Sequence, residues 1–372
     1  MKNGWEIMKL GDVCMIERGG SPRPIESYIT NDDDGINWIK IGDTKNVTKY
    51  ITTTKDKIKQ AGAKKSRMVF DGDFILSNSM SFGRPYIMKT TGCIHDGWLV
   101  LRNPKVDHDY LYHVLSSDLV YSQFDSLAAG STVRNLNIGL VQGVHIPIPP
   151  VAEQQRIVAI LDEAFEGIAT AKANAEKNLK NARQLFESNL NSVFSQRGDG
   201  WVEKRVEDIC VLQRGLDLPS RLRVCGKFPL VSSSGVIDTH NKGPIIGPGV
   251  VTGRSGSIGS VFYIEEDYWP LNTVLYVKEF HGNDPKLVYW FLNYFDLKRF
   301  ATGAGVPTLN RNIVHDECSY FPDFKIGQKQ IVQHLDSLFE ETKRLESIYQ
   351  KKMEALDALR KSILQKAFSG KL

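Results

Sequence analysis

From Ala152 onward the apolar residues of this chain fall at alternating four- and three-residue steps. The stripe runs through Ile157, Leu161, Ala164, Ile168, Ala171 and Ala175, then, after a one-residue slip, through Leu179, Ala182, Leu185, Leu190 and Val193. No proline lies between Pro150 and Pro219. An apolar repeat of about 3.5 residues sustained this long predicts a helix that buries a narrow seam against another helix. The partner is in the same chain. Ile331, Leu335, Leu338, Thr342, Leu345, Tyr349, Met353, Leu356, Leu359 and Ile363 repeat the stripe at a constant offset, and it runs on to Phe368. A helix lying on its own globule would need a wider apolar face. Two helical regions, 151–198 and 325–372, are therefore expected to pair with each other.

Between and before the stripes the texture is different. Residues 1–150 carry short apolar runs such as Phe74-Ile75-Leu76 and Trp98-Leu99-Val100-Leu101, separated by turn clusters like Asn31-Asp32-Asp33-Asp34-Gly35. This reads as mostly β with a few helices, one of them from Tyr110 to Tyr121. Ile146-Pro147-Ile148-Pro149-Pro150 is expected to be an extended hinge, because proline excludes helix from the residue before it. Residues 199–324 return to the same texture, with Gly247, Gly249, Gly253, Gly256 and Gly259 punctuating short strands.

The two halves also echo each other residue by residue. Gly4-Trp5 and Gly200-Trp201 open stretches in which Leu10/Val206, Asp12/Asp208, Val13/Ile209, Cys14/Cys210, Arg18/Arg214 and Gly19/Gly215 align without a gap. A second echo matches Gln154-Gln155-Arg156-Ile157-Val158 with Gln328-Lys329-Gln330-Ile331-Val332. Leu161-Asp162 matches Leu335-Asp336, and Phe165-Glu166 matches Phe339-Glu340. A duplicated unit of this size makes two similar globules related by approximate symmetry. Connectivity sets the direction of the helices. A helix of about 45 residues is roughly 65 Å long, whereas a globule of about 125 residues is only about 35–40 Å across. The second globule cannot carry the chain back to the start of the first helix, so the second helix should run antiparallel, with one globule at each end of the pair. The fold class is thus α+β: two similar mixed, β-rich domains joined by two long helices that pair as an antiparallel coiled coil with a pseudo-twofold axis.

Length and charge narrow the class. At 372 residues there is room for two or three domains with cores of their own. The net charge of +4 is too small to announce a nucleic-acid protein by electrostatics alone. Five cysteines without a C-x-x-C pair argue against a disulfide framework or a zinc site. Cys14 and Cys210 read as buried core thiols. His95, His113, His240, His281 and His315 are not at metal-ligand spacing, so no metal is expected. No apolar run approaches the roughly 20 residues needed to span a bilayer, and MKNGWEIMKL lacks a signal-peptide core. The expected setting is the cytoplasm, away from membranes.

The segment IPIPPVAEQQRIVAILDEAF, the Gly-Trp openings and the ending LQKAFSGKL resemble the specificity subunits of type I restriction-modification systems, over essentially the whole chain. The second copy departs from the pattern, because Ile326-Gly327-Gln328-Lys329-Gln330 lacks the proline pair and the Glu. The resemblance implies a non-catalytic subunit with target-recognition domains at 1–150 and 199–324 and conserved helical regions at 151–198 and 325–372. Each recognition domain would read one half of a split, asymmetric site in double-stranded DNA, and the helices would set the spacer. The helices would also dock two methyltransferase subunits, which carry S-adenosylmethionine, so this chain needs no cofactor of its own. Two restriction subunits join such complexes for ATP-driven translocation and cleavage. The residues agree with a non-catalytic role. The only Pro-Pro is Pro149-Pro150, no Asn/Asp-Pro-Pro-aromatic motif is present, and there is no G-x-x-x-x-G-K-[ST] loop. The competing readings are an enzyme with an unrecognised site, a coiled-coil scaffold whose globules bind protein, and an orphan methyltransferase-targeting subunit without a restriction partner.

Reading DNA needs side chains that reach base edges and others that hold phosphates. Ser79, Ser81 and Arg84 lie in a polar loop after an apolar strand, and Arg254 and Ser255 lie in its counterpart. A second pair of loops carries Thr132, Arg134 and Asn135 in the first half and Thr308, Asn310 and Arg311 in the second. Arg18, Arg23, Arg214, Arg221 and Arg223 surround the early turns. Plain alternatives stand beside each: ordinary β-turns, loops that cap a domain, and arginines that are merely solvated. Trp5 and Trp201 are expected to pack in the cores rather than stack on bases.

Overall fold

The computed structural model describes residues 4–78, 82–128, 135–303, 307–323 and 325–372, with the side chains of 128, 325 and 326 excepted. The chain divides into two compact units. Unit 1 is Met1–Asn174 with Lys352–Leu372, and unit 2 is Ala175–Lys351. Each unit therefore owns a stretch of both long helices, Val151–Phe194 and Lys325–Phe368.

In unit 1 the main sheet has five strands, in the order Met15–Arg18, Trp98–Arg102, Phe74–Ser77, Pro85–Met88, Tyr50–Ile51. Phe74–Ser77 and Trp98–Arg102 read as continuous apolar runs because they are covered on both faces, with Phe74, Ile75, Leu76, Leu99, Val100 and Leu101 fully buried. A second five-stranded sheet is built from Ile29–Thr30, Asp56–Ile58, Ile36–Ile39, Gly92–Ile94 and Arg67–Val69. Unit 2 has the same plan with less in it. Its main sheet is Val211–Arg214, Val274–Glu279, Gly249–Gly253 and Val261–Ile264, and its second sheet has only the three strands Gly235–His240, Phe228–Ser232 and Trp269–Pro270.

The opening echo is a structural repeat. Glu6–Lys9 pairs antiparallel with His145–Ile148, and Trp201–Arg205 pairs antiparallel with Cys318–Pro322. Leu10 N–H donates to the Val144 carbonyl at 2.7 Å, and Val206 N–H to the Glu317 carbonyl at 2.8 Å. Cys14 and Cys210 then close matching single turns. Both thiols are buried in the cores, and burial pushes each up to about 12. Trp5 and Trp201 are each only 9% exposed and belong to the two main cores. The segment from Ile146 is extended as expected. Up to Ile148 it is a paired strand rather than a hinge, since the register places Ile146, Pro147 and Ile148 opposite Met8, Ile7 and Glu6.

The long helices pair antiparallel within each unit. In unit 1 Arg156 reaches the carbonyl of Leu372 at 2.9 Å while Lys172 pairs with Asp357 at 2.9 Å. In unit 2 Arg183 pairs with Glu346 at 2.7 Å, and the rings of Phe186 and Phe339 lie 5.4 Å apart. Ile157, Leu161, Ile168, Ala175, Ala182, Leu190, Leu335 and Thr342 of the stripe are buried, and nearly all its other positions are half-buried. Two stripe positions are not: Leu185 is 59% exposed and its counterpart Leu359 is 48% exposed. There the next residue makes the ring contact instead. Phe186 packs on Phe339 and Trp290, and Arg360 lies over Phe165, 4.7 Å from its centroid.

The helix expected from Tyr110 to Tyr121 is two helices, His108–Leu115 and Asp118–Ala128. The break is chemical: the Ser117 hydroxyl donates to the Val114 carbonyl at 2.6 Å, and its N–H bonds the same oxygen, which tightens the turn.

Candidate DNA interface

Each domain is fastened to the helix that follows it by the second echo. Gln154 is 2% exposed; its amide donates to the Pro149 carbonyl at 2.8 Å, and its Oε1 accepts from Asp107 N–H at 2.7 Å. Gln328 does the same, donating to the Pro322 carbonyl at 2.9 Å and accepting from Asp284 N–H at 2.9 Å. Asp107 and Asp284 each cap the N-terminus of a helix, His108–Leu115 and Pro285–Tyr294. One glutamine thus ties the long helix to the capping residue of the domain's own helix. The missing proline pair and Glu of the second copy do not affect this, because both clamps use the first Gln with one backbone carbonyl and the N–H of the capping Asp, and the Gln328 amide also donates to Asn283 Oδ1 at 3.0 Å. Two turns further on, Asp162 accepts from His113 Nε2 at 2.9 Å, while Asp336 accepts from Trp290 Nε1 at 2.8 Å. Burial pushes the His113 imidazole below its ordinary pKa, against the pull of Asp162.

At the other side of the sheet the two units share a hydrogen-bonded skeleton. Gly19 N–H donates to the Trp98 carbonyl at 2.9 Å and Gly215 N–H to the Val274 carbonyl at 3.0 Å. Asn78 N–H bonds the Gly97 carbonyl at 3.0 Å, as Arg254 N–H bonds that of Thr273 at 2.9 Å. Leu136 and Leu309 N–H then donate to the carbonyls of Asn78 and Arg254, at 3.0 and 2.8 Å. Each unit also has a reverse turn, closed by Trp98 N–H on the His95 carbonyl and by Val274 N–H on that of Leu271. These turns lie so close over Gly19 and Gly215 that a Cβ on either glycine would overlap the carbonyl oxygen of His95 or Leu271. That approach explains the identical glycine in the echo. The polar loops match in length, with Gly83 and Gly259 closing back on Ser77 and Gly253 and both holding positive φ.

In unit 2 this skeleton surrounds a depression of about 820 Å³, lined among others by Arg214, Arg254, Thr308, Asn310, Arg311 and Asn312. Five of the expected residues are therefore brought together, and Ser255 adjoins them through a bridge to Thr308. Asn310 Oδ1 accepts from Asn312 N–H at 3.1 Å and so caps the short helix Arg311–Asp316. Arg254 Nη1 donates to the Asn272 carbonyl at 3.4 Å and Arg311 Nη1 to that of Leu212 at 3.5 Å, which holds both guanidinium groups at the rim. Arg214 is exposed with Asp217 at 3.7 Å. Arg221 and Arg223 do not line this depression. Arg221 sits exposed in the turn Ser220–Leu222, and Arg223 Nε donates to the Leu218 carbonyl at 3.4 Å.

In unit 1 the corresponding surface holds Arg18, whose Nε donates to the Asp96 carbonyl at 3.2 Å, and Arg23, 3.5 Å from the Asp96 carboxylate. Asn78 takes the place of Arg254 and donates to the same Asp96 carbonyl at 2.8 Å. The Ser21 hydroxyl bonds the Asp96 carboxylate at 2.7 Å and holds it below the usual carboxylate range. Asn135 Oδ1 is buried with no partner among the described residues. Arg84 is elsewhere, in a cleft of about 760 Å³ with Asp162, Phe165 and Arg360, where it donates to the Val47 carbonyl. Ser79, Ser81, Thr132 and Arg134 lie outside the described residues. Sequence reasoning missed Asp96, Asp217, Asn272 and Asn312. Continuing the ungapped echo two residues past Gly19/Gly215 would have reached the Ser21/Asp217 position. Nothing local marks the pair Asp96/Asn272, because insertions of different length precede it. Among the described residues no group of three His, Cys, Asp or Glu could hold a metal ion, and no helix is long and apolar enough to cross a membrane.

A duplicated β frame in which each copy is fastened to a long helix defines a class of two-copy protein. Sequence comparison agrees: the type I restriction modification DNA specificity domain matches residues 2–181 and again 198–354, and the chain belongs to that family. The type I restriction enzyme MjaIX specificity subunit of Methanocaldococcus jannaschii is 25% identical over 236 residues, 58% of this chain and 54% of that protein. The EcoKI specificity subunit of Escherichia coli is 25% identical over 186 residues, 48% of this chain and 39% of its own length. These two alignments thus span about half, or less, of the relatives. The StySPI specificity subunit of Salmonella potsdam is 21% identical over 100% of this chain and 90% of its own. Among solved structures, a chain of a type I R-M system studied for complex assembly and conformational transition has a TM-score of 0.85 at 18% identity, covering 100% of this chain and 99% of that one. The HsdS subunit of Thermoanaerobacter tengcongensis gives 0.63 at 18% identity, covering 100% and 98%. These likenesses show the fold.

Proposed function

We propose that this chain is the non-catalytic DNA-specificity subunit of a cytoplasmic type I restriction-modification complex. Each unit reads one half of a bipartite, asymmetric site in double-stranded DNA. The functional parts are the recognition domains 1–150 and 199–324 and the helical regions 151–198 and 325–372. The observation that carries the reading is the unit 2 depression, where Arg214, Arg254, Thr308, Asn310 and Arg311 converge, together with the same skeleton in unit 1 carrying different side chains. Arginine and amide groups on a shared skeleton are what base readout and phosphate positioning require. A net charge of only +4 leaves little phosphate attraction to the subunit alone, so tight binding awaits two methyltransferase subunits loaded with S-adenosylmethionine. Leu185 and Leu359, exposed at matching turns of the helices, are the apolar positions on which such partners would pack. Two restriction subunits complete the complex where cleavage follows.

The test is methylation mapping of DNA exposed to the complex reconstituted with its methyltransferase. The expected result is two unlike half-sites at a fixed spacing, one of which alone changes when residues 1–150 are exchanged for another recognition domain. Methylation by the purified chain alone would overturn the non-catalytic assignment. Absence of any sequence-selective methylation by the full complex would favour a scaffold.

A further inference from the structure

The repeated skeleton contains one position pair where the two units differ in a way that bears on base reading. The residue two beyond Gly19/Gly215 faces the first central residue of the reverse turn, so Ser21 stands opposite Asp96 and Asp217 opposite Asn272. In both units the pair is hydrogen-bonded: the Ser21 hydroxyl donates to Asp96 Oδ1, and the Asn272 amide donates to Asp217 Oδ1. Each unit therefore has one carboxylate at this place, on opposite members of the pair. In each case an exposed arginine lies beside it, Arg23 at 3.5 Å from Asp96 and Arg214 at 3.7 Å from Asp217. Side chains of Asp96 and Asp217 are 46% and 70% exposed, so neither is a core carboxylate neutralised by burial.

A carboxylate on a surface that meets DNA is repelled by every phosphate, and it needs a reason to be there. It is an acceptor only, so among base edges in the major groove it suits an exocyclic amino group and clashes with N7 or O6 of a purine. Adenine places N7 beside its amino group, whereas cytosine offers the amino group without a neighbouring acceptor. The guanine paired with that cytosine presents O6 and N7, which an arginine satisfies. A carboxylate beside a guanidinium is the complement of a C·G pair.

Building on the half-site reading above, we propose that Asp96 with Arg23 in unit 1, and Asp217 with Arg214 in unit 2, each read one C·G base pair, the aspartate taking the cytosine amino group and the arginine the guanine. Because the carboxylate sits on the turn in unit 1 and on the glycine loop in unit 2, the C·G pair occupies different places in the two half-sites.

The experiment uses the full complex, reconstituted with methyltransferase and S-adenosylmethionine, on a DNA library randomised in one half-site at a time. Wild type is required to show a C·G pair in each half-site. If both half-sites are defined but one lacks such a pair, this inference fails while the specificity-subunit reading stands. If wild type shows no selectivity at all, it is that reading which fails. Asp96→Asn should relax discrimination at one C·G position of the first half-site by about tenfold to a hundredfold and leave the second half-site unchanged; Asp217→Asn should do the converse. The double variant Ser21→Asp with Asp96→Asn keeps the pair bonded while moving its carboxylate across the turn, and should shift the C·G requirement to another position of the first half-site. Equal loss of methylation on all sequences, or half-sites identical to wild type, in both the single and the double variant would overturn the assignment.

Discussion

Units 1 and 2 build the same skeleton from different amounts of chain. Between the glycine of the echo and the strand that follows its second sheet, unit 1 makes a five-stranded second sheet and unit 2 a three-stranded one. Yet the hydrogen bonds of Gly19 and Gly215, of Asn78 and Arg254, and of Leu136 and Leu309 superpose in pattern to within a few tenths of an ångström in length. The glutamine clamps of Gln154 and Gln328 agree as closely. What varies is the side chain each backbone position presents: Asn78 against Arg254, Ser21 against Asp217, Asp96 against Asn272, His113 against Trp290. Repeated backbone pairing with free choice of side chain gives the two units one scaffold with two different polar surfaces, which is what the proposed reading of two unlike half-sites requires.

The comparison breaks hardest at the glycines. Gly19→Ala and Gly215→Ala each put a methyl group against a carbonyl of the reverse turn, and each should destabilise its own unit by about 3 kcal/mol. Equilibrium denaturation followed by a probe in each unit would show it, and an alanine tolerated in one unit only would mean that the two turns are not equivalent. The clamps come next. Gln154→Ala and Gln328→Ala leave the Asp107 or Asp284 N–H and a proline carbonyl without their partner, so each should cost about 2 kcal/mol. Similar losses by urea titration would establish that the second clamp works without the prolines and Glu of the first.

The smallest effect sharpens a difference. His113 is neutral in the folded unit 1 because burial holds its pKa down. As pH falls through the ordinary histidine value of about 6.5, the unfolded chain takes up the proton first, so this residue's contribution to stability is present above that pH and lost below it. Trp290, in the same place in unit 2, has no such proton. His113→Trp should narrow the drop in unit 1 melting temperature between pH 7.5 and pH 5.5, and Trp290→His should introduce a drop in unit 2. Melting curves at the two pH values check both.

Much of this was legible in the residues. A seam of period 3.5 and its copy at constant offset predict two paired helices, since the period of a helix is a property of its own backbone. The Gly-Trp and Gln-Gln echoes predict a repeated unit. The exceptions are instructive. Leu185 and Leu359 follow the seam pattern yet face outward, because Phe186 and Arg360, one residue on, find the rings of Phe339 and Phe165. The helix from Tyr110 breaks where the Ser117 hydroxyl captures a carbonyl. Arg84 reads as a partner of the loop arginines and instead lines the cleft by Asp162.

The sequence alone determined that the molecule is two copies of one plan riding on paired helices, because periodicity and repetition are recorded in residue order. Only the tertiary structure decided which polar side chains meet. Arg214, Arg254, Asn272 and Asn310 come from four separate segments, and Asp96 reaches Ser21 across 75 positions of chain. Their neighbourhood is set by sheet register and by a turn pressed onto a glycine, contacts that link residues far apart in the chain and leave no local period to read.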